Sequence, residues 1–139
     1  DVLFVQDSHS KSKRDVLRGL HFQIKKPQGK LIRVLKGEIF DVVVDLRKGS
    51  KSFSSFYSLF LSEENKEQLW VPAGFAHGFL VTSDYAEVSY KTTNFWNPKF
   101  EKTLIWNDPK ISIDWPCTNP LLSEKDSKGL SLSELEKIL

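Results

Sequence analysis

The sequence contains little sulfur: Cys117 is its one cysteine, and there is no methionine among the 139 residues. A single cysteine cannot form a disulfide within the chain, and it gives too few thiolates for a structural zinc site, which uses at least two. No apolar run approaches the roughly 18–20 residues that cross a bilayer, and the first residues lack the basic start and apolar stretch of a signal peptide. We therefore expect a cytoplasmic protein with no membrane partner.

The sequence also lacks a large excess of charge of either sign, since 20 Lys and Arg residues are nearly balanced by 18 Asp and Glu residues, for a net charge of +2. No basic stripe is present that would neutralise several phosphates at once, so nucleic acid is not expected as a partner. The chain is 40% apolar and 27% charged, which excludes a disordered chain and is typical of one domain with a real core. We expect a single domain over residues 1–139.

Strand patterns dominate what is present. In residues 38–46, the apolar residues Phe40, Val42, Val44 and Leu46 alternate with their neighbours and share one side. Residues 31–35 precede this segment across a short turn at residues 36–38, which predicts an antiparallel hairpin. Further strands are predicted at residues 53–61, 68–71, 78–82, 86–93 and 103–106. Many short strands at regular spacing predict an all-β sandwich or barrel.

Only the end of the chain has a helical pattern. Ser131 and Glu134 have the spacing of a capping box, and Leu132, Leu135 and Leu139 then share one helical face. We predict a short C-terminal helix.

Three residues that could carry chemistry also have ordinary structural interpretations. His21 lies on one face of a predicted strand, where a lone histidine more often makes a structural hydrogen bond. His77 shares its side with Phe75 and Phe79, as a core histidine would. Tyr90 points the same way as nearby apolar residues and could be a core tyrosine with a hydrogen-bonded hydroxyl.

Other candidates are equally open when taken alone. Lys30 and Arg18 fit a solvated strand face, and Asp126 lies in a polar tail that would normally be surface. Trp96 could anchor a core or stack on a ligand ring. His9 is expected in a polar loop and is assigned no function.

Six segments taken together carry more information than any single residue. They are RGLHFQ at 18–23, QGKL at 28–31, GEIFDV at 37–42, GFAHGF at 74–79, YKTT at 90–93 and WNDP at 106–109. In this order they strongly resemble the dTDP-4-dehydrorhamnose 3,5-epimerase family, and the resemblance extends from Gln6 to about Asp126. It implies a cupin-type jelly-roll barrel, a homodimer and a nucleotide-sugar epimerase that uses no cofactor. Metal-binding cupins usually supply two histidines two residues apart, and because this sequence has no His-x-His, we expect no metal.

The resemblance also implies roles for individual residues. His21 would be the general base, Tyr90 the general acid and Asp126 the partner of His21. The positions matching those that hold the nucleotide-sugar are Gln6, Asp7, Arg18, Lys30, His77, Glu101 and Lys125. Trp96 stands where the family commonly has a tyrosine that stacks on thymine.

The chemistry of a 4-keto sugar gives these roles a physical reason. The C4 ketone acidifies the protons on C3 and C5, and a histidine, whose ordinary pKa is about 6.5, can remove them. A carboxylate such as Asp126 would fix the histidine tautomer, and a cation such as Lys30 would stabilise the enolate. Inversion requires the new proton to arrive from the opposite face, which calls for a separate acid, Tyr90.

Three departures from the family pattern accompany the resemblance. The family has a stretch before Gln6 that carries further substrate-binding residues and strands pairing across the dimer, and we expect this chain to lack it. Ser8 replaces a common asparagine, and Phe95 and Trp96 replace a pair of tyrosines.

These observations leave several functions open. The leading hypothesis is inversion of both C3 and C5 of dTDP-4-dehydro-6-deoxy-D-glucose to give dTDP-4-dehydro-L-rhamnose. The alternatives are an epimerase acting at one of these centres or on another nucleotide-linked 4-keto sugar, a non-catalytic nucleotide-sugar-binding cupin, and a metal-dependent cupin enzyme.

Overall fold

A computed structural model describes all residues from Asp1 to Leu139. Nine strands are followed by two short helices: β1 (Gln6–Lys13), β2 (Leu17–Gln23), β3 (Lys30–Lys36), β4 (Glu38–Asp45), β5 (Phe56–Ser62), β6 (Gln68–Val71), β7 (Phe75–Val81), β8 (Tyr85–Thr92), β9 (Glu101–Thr103), α1 (Glu124–Ser127) and α2 (Leu132–Leu135). Neither helix has the length and apolar character of a membrane crossing. The expected all-β architecture with a short C-terminal helix is confirmed.

The strands form two antiparallel sheets that face each other as a jelly-roll barrel. One sheet has four strands in the order β1-β8-β3-β6, and the other has five in the order β5-β4-β7-β2-β9. An apolar cluster fills one end of the space between them, with Ile32 and Val88 from one sheet and Val43 and Val81 from the other. We call this cluster the inter-sheet core.

A second apolar cluster lies on the outer side of the five-stranded sheet. Val42 and Val44 contribute from β4, while Trp115, Leu132 and Leu135 contribute from the C-terminal segment. Both predicted hydrogen bonds of the Ser131 capping box are present, and they start α2 where the sequence placed it. The five-stranded sheet is therefore covered on both faces, and the C-terminal segment is held firmly against it.

The predicted hairpin of β3 and β4 is wrong. The two strands belong to different sheets, so the turn between them carries the chain across the barrel. Gly37 adopts φ +76°, and a side chain there would meet the backbone oxygen of Tyr85. A short turn can join two strands of one sheet or carry the chain from one sheet to the other. Here the close packing of Gly37 against Tyr85 accompanies the second arrangement.

The polar loop expected around His9 is also wrong, because these residues form strand β1 along β8. The segment QDSHSKSK has no apolar alternation, so it carries no sequence pattern typical of a half-buried strand. Its backbone pairs with β8 throughout, which keeps it in the sheet without a buried apolar face. Gln6, Ser8 and Ser10 consequently point into the barrel.

Candidate active site

A polar cavity of about 240 Å³ occupies the end of the barrel above the inter-sheet core. Its walls are formed by Gln6, Ser8, His21, Gln28, Lys30, Tyr90, Thr92, Trp96 and Glu101. An adjoining hollow of about 100 Å³ shares His21, Lys30 and Tyr90 with it and adds Arg18 and His77. Period-2 alternation explains the position of these residues, since Lys30 precedes Ile32 and Tyr90 follows Val88 on inward-facing sides. We refer to both spaces together as the barrel cavity.

His21 is paired with a carboxylate that comes from the far end of the chain. Its Nε2 lies 2.6 Å from Oδ1 of Asp126, and the backbone N–H of Gly19 donates to the other carboxylate oxygen at 3.1 Å. Ser123 caps α1 by accepting from the Asp126 N–H, which fixes the start of the helix. Asp126 is buried, while the His21 side chain stays 24% exposed toward the cavity.

The ionisation of Asp126 suits this partnership. Desolvation would raise its pKa, but the hydrogen bond and charge of His21 and the Gly19 N–H outweigh it and lower the pKa from its ordinary value. The carboxylate therefore stays charged at neutral pH and can stabilise an imidazolium on His21.

Tyr90 reaches the cavity from the opposite sheet. It lies on β8, beside Ile32 of β3, and lines both parts of the barrel cavity together with His21. A candidate proton acceptor and a candidate proton donor thus stand on different walls, as inversion at a carbon requires.

Lys30 is 8% exposed, so its ammonium is held almost entirely inside the protein. Desolvation lowers its pKa to about 8, and the charges of Glu101 and Asp41 oppose that shift. Near neutral pH this group is mostly charged, and it lines both parts of the barrel cavity.

His77 forms a second histidine–carboxylate pair that the sequence alone did not predict. Its Nε2 lies 2.8 Å from Oδ2 of Asp41, whose side chain is 0% exposed. His77 is also directly opposite His21 in the pairing of β7 with β2, so both rings belong to the same face of the sheet. Asp41 lies within a segment that carried the family resemblance, and its acidic side chain in an otherwise apolar strand was the available clue.

The mouth of the cavity holds the remaining candidates. Lys125 donates to Glu101 at 2.6 Å, and the backbone N–H of Trp96 donates to the side-chain oxygen of Gln6 at 2.9 Å. Desolvation would raise the pKa of Glu101, but the hydrogen bond from Lys125 and the nearby His21 lower it overall. The Trp96 side chain is exposed, which leaves its ring available for stacking.

Two predicted binding residues stand apart from the larger part of the cavity. The Arg18 side chain is exposed at the smaller hollow and donates to the Ser12 hydroxyl at 2.9 Å. Asp7 alternates with the inward-facing Gln6 and Ser8, and its carboxylate accepts from Lys91 at 2.8 Å on the outer face. The structure therefore does not bring Asp7 together with the others.

Comparison with known proteins identifies the family. The family model described as dTDP-4-dehydrorhamnose 3,5-epimerase matches residues 1–134. The chain belongs to this family. A dTDP-4-dehydrorhamnose 3,5-epimerase from Pseudomonas aeruginosa is 57% identical over 136 residues, which cover 97% of this chain and 75% of the relative.

Solved structures agree with this membership of the epimerase family. A dTDP-6-deoxy-D-glucose-3,5-epimerase from Legionella pneumophila, in complex with dTDP-4-keto-L-rhamnose, superimposes with a TM-score of 0.96 at 46% identity and covers 99% of this chain and 74% of its own. A 3'-monoepimerase from Streptomyces bikiniensis, in complex with dTDP-quinovose, gives a TM-score of 0.91 at 31% identity, with coverage of 97% and 69%. The family fold thus accommodates epimerases named for two centres and for one.

Proposed function

We propose that this chain inverts C3 and C5 of dTDP-4-dehydro-6-deoxy-D-glucose and gives dTDP-4-dehydro-L-rhamnose, in the biosynthesis of dTDP-L-rhamnose. One observation carries the proposal: His21 of the five-stranded sheet, paired with Asp126 of α1, lies across a polar cavity from Tyr90 and Lys30 of the four-stranded sheet. The 57% identity to a dTDP-4-dehydrorhamnose 3,5-epimerase supports the same conclusion.

His21 is the general base in this proposal. Because Asp126 engages Nε2 at 2.6 Å, Nδ1 is the ring nitrogen that takes the proton from carbon. The imidazolium that forms is stabilised by the ionised carboxylate of Asp126. Both C3 and C5 are adjacent to the C4 ketone, so one base can serve each centre in turn.

Lys30 and Tyr90 complete the reaction. Removal of the proton moves negative charge to the C4 oxygen, where the almost fully buried Lys30 ammonium stabilises it. Tyr90 then delivers a proton to the other face of the carbon, because it stands on the opposite wall from His21. The centre is inverted when the base and the acid act on opposite faces.

The nucleotide half occupies the mouth of the cavity. In this proposal Arg18 and Lys125 neutralise the diphosphate, Trp96 stacks on thymine, and Glu101 and Gln6 supply hydrogen bonds. The Asp7 carboxylate, which faces outward in one chain, would contribute only through rearrangement or through a second subunit.

We also propose that the chain acts as a homodimer, as the family resemblance implies. Sedimentation equilibrium on the purified chain tests this directly, because a single species at the monomer mass of 16.0 kDa would contradict it.

Inversion at one centre is the second candidate function. The structural likeness to a 3'-monoepimerase favours it, since that protein shares the fold at a TM-score of 0.91. The same base and acid serve both reactions, so the distinction depends on how the sugar turns in the cavity.

A proton NMR time course in D2O with dTDP-4-dehydro-6-deoxy-D-glucose tests the proposal. We expect deuterium to replace the protons at both C3 and C5, and a coupled reductase to yield dTDP-L-rhamnose. Exchange at one carbon would favour the single-centre enzyme, and exchange at neither would contradict epimerisation and favour a binding protein.

A further inference from the structure

Asp41 is the most deeply buried ionisable group beside the barrel cavity, and no step proposed above uses it. It lies on β4 between Ile39 and Val43, which both belong to the inter-sheet core. One carboxylate oxygen accepts from His77 at 2.8 Å, and the other, Oδ1, is buried without a hydrogen-bond partner. The side chain is 0% exposed, so it cannot itself touch a substrate.

A carboxylate in this position lowers the stability of the folded chain. A valine or leucine would fill the same layer of the core without leaving a polar atom unsatisfied, whereas a buried oxygen with no hydrogen-bond partner destabilises the folded chain. A buried charge is tolerated where nearby charges compensate it. The compensation must therefore come from the groups that line the cavity.

The charged and titratable groups around this position come from several elements. Its hydrogen-bond partner His77 of β7 lines the smaller hollow together with Lys30 of β3, Tyr90 of β8, and His21 and Arg18 of β2. Glu101 of β9 lines the larger part of the cavity, and Lys125 and Asp126 of α1 lie beside His21 and Arg18. Among them, Lys30 and His77 are the two whose charges act on Asp41 directly.

We propose that Asp41 is a positioning residue of this site: its carboxylate fixes the His77 ring with Nε2 as a donor and supplies the countercharge that keeps the Lys30 ammonium protonated inside the barrel. His77 then presents Nδ1, which makes no hydrogen bond within the chain, to the bound sugar. Asp41 thus acts on the reaction through two neighbours that reach the cavity.

The electrostatics of the pair support this arrangement. Burial raises the pKa of Asp41, and the charges of His77 and Lys30 counteract the rise. In return, Asp41 and Glu101 raise the pKa of Lys30, which desolvation lowers to about 8. Without the Asp41 charge, Lys30 would lose its proton at a lower pH and could no longer stabilise an enolate near neutrality.

The substitution Asp41→Asn tests the proposal, because it keeps the shape and one acceptor for His77 but removes the charge. Asp45→Asn is the matched control: Asp45 is buried on the same strand, but its partners are Arg47, Ser50 and Ser52, outside the cavity. The first readout is the titration of Lys30, which is monitored by NMR of protein labelled with ¹³C at the lysine ε-carbons. A Lys30→Arg variant assigns the Lys30 signal.

We expect the Lys30 titration to move down by on the order of one pH unit in Asp41→Asn and to stay in place in Asp45→Asn. The second readout, which rests on the proposed function, is the pH profile of kcat/KM. Its alkaline limb should move down by the same amount, with KM changed less than kcat. If Asp41 had only a structural role, the substitution would lower the melting temperature without moving the Lys30 titration or the alkaline limb.

The two readouts separate failure of this proposal from failure of the proposed function. An unchanged Lys30 titration in Asp41→Asn overturns the positioning role, whatever the activity. A shifted titration in a chain without exchange activity supports the positioning role and contradicts epimerisation. Should Asp41→Asn fail to fold, ¹⁵N NMR of the His77 ring in the unmodified chain decides instead: a proton on Nε2 is expected, and a bare Nε2 would overturn the proposal.

Discussion

His21 obtains its chemical character from a residue 105 positions away along the chain. Asp126 holds Nε2, Gly19 holds Asp126, and Ser123 holds the helix on which Asp126 stands. A histidine at the same place without this support would be a half-exposed ring with no fixed tautomer. The orientation of the base therefore depends on three other residues.

Substitution of His21 by alanine tests its proposed role as the base. We expect exchange at both C3 and C5 to fall by about 10²–10⁴-fold or more, the usual contribution of a general base, while dTDP-sugar binding stays nearly unchanged. The measurements are deuterium incorporation by NMR and binding by calorimetry.

His9→Ala is the matched control for this substitution, since His9 lies on the outer face of β1 beside Glu87 and should keep full activity. Normal epimerisation by His21→Ala would remove His21 from the mechanism. Loss of binding alone would make it a ligand contact.

Substitution of Tyr90 by phenylalanine separates proton delivery from proton removal. We expect deuterium exchange to continue while formation of the inverted product slows by at least about tenfold, because the base is intact and the acid on the other wall is absent. Tyr85→Phe, on the exposed start of the same strand, is the control. Equal slowing of exchange and inversion would contradict the role of Tyr90 as the acid.

The sequence predicted these residues unevenly, for physical reasons. Alternation placed Tyr90 on an inward face, but only the family resemblance joined Asp126 to His21, because nothing in a polar tail indicates which strand it will contact. Asp41 was missed as a functional residue because an acidic side chain within a strand carries no information on its partner. Both omissions concern contacts between residues far apart in sequence.

At the scale of elements, the site depends on a close approach between β2 and β7. A Cβ on Gly19 would lie 2.6 Å from the Cα of Gly78, and a Cβ on Gly78 would lie 2.6 Å from the backbone oxygen of Arg18. Glycine at both positions lets the strands approach here, two residues from His21. The same contact places the Gly19 N–H against Asp126.

The substitution Gly19→Ala should therefore disturb both stability and activity. Gly49→Ala is a matched control, because Gly49 also has positive φ (+84°, against +118° for Gly19) but has no atom within 4 Å of its added Cβ. We expect Gly49→Ala to cost about 1–2 kcal/mol, the penalty of a left-handed alanine, and Gly19→Ala to cost more and to reduce exchange. Equal unfolding free energies from urea denaturation would show that the close approach is unimportant.

The elements also show what strand patterns can predict. Segments with clear alternation, such as β4, were located within a residue or two, and the capped start of α2 was found from two side chains. The partner of each strand was harder, since β3 and β4 are consecutive yet lie in different sheets. Strand β1 escaped prediction because its polar sequence has no apolar alternation to mark it as a strand.

At the scale of the whole molecule, acid should unfold the protein. The hydrogen bond from Arg47 holds the pKa of Asp45 well below its ordinary value of 3.8, and the pKa values of Asp126, Glu101 and Glu134 are also lowered. A carboxylate with a lower pKa in the folded chain stabilises it fully above the unfolded pKa. That contribution is lost as the pH falls through the folded pKa.

Thermal unfolding between pH 7 and pH 2 measures this effect. We expect the melting temperature to be steady above about pH 5 and to fall steeply below about pH 4, where these carboxylates begin to take up protons. Asp45→Asn should lower the melting temperature at pH 7 and flatten its fall in acid. A melting temperature that rises on acidification would contradict these assignments.

The position of Asp126 near the C-terminal end has a consequence for the order in which the protein is made. Synthesis proceeds from the N-terminus, so every strand has been made before the ribosome reaches Asp126. All residues that line the barrel cavity precede Asp126 in the chain, so the base is completed only when the segment after β9 docks. Of all the residues assigned to the site, Asp126 is therefore the last to be added to the growing chain.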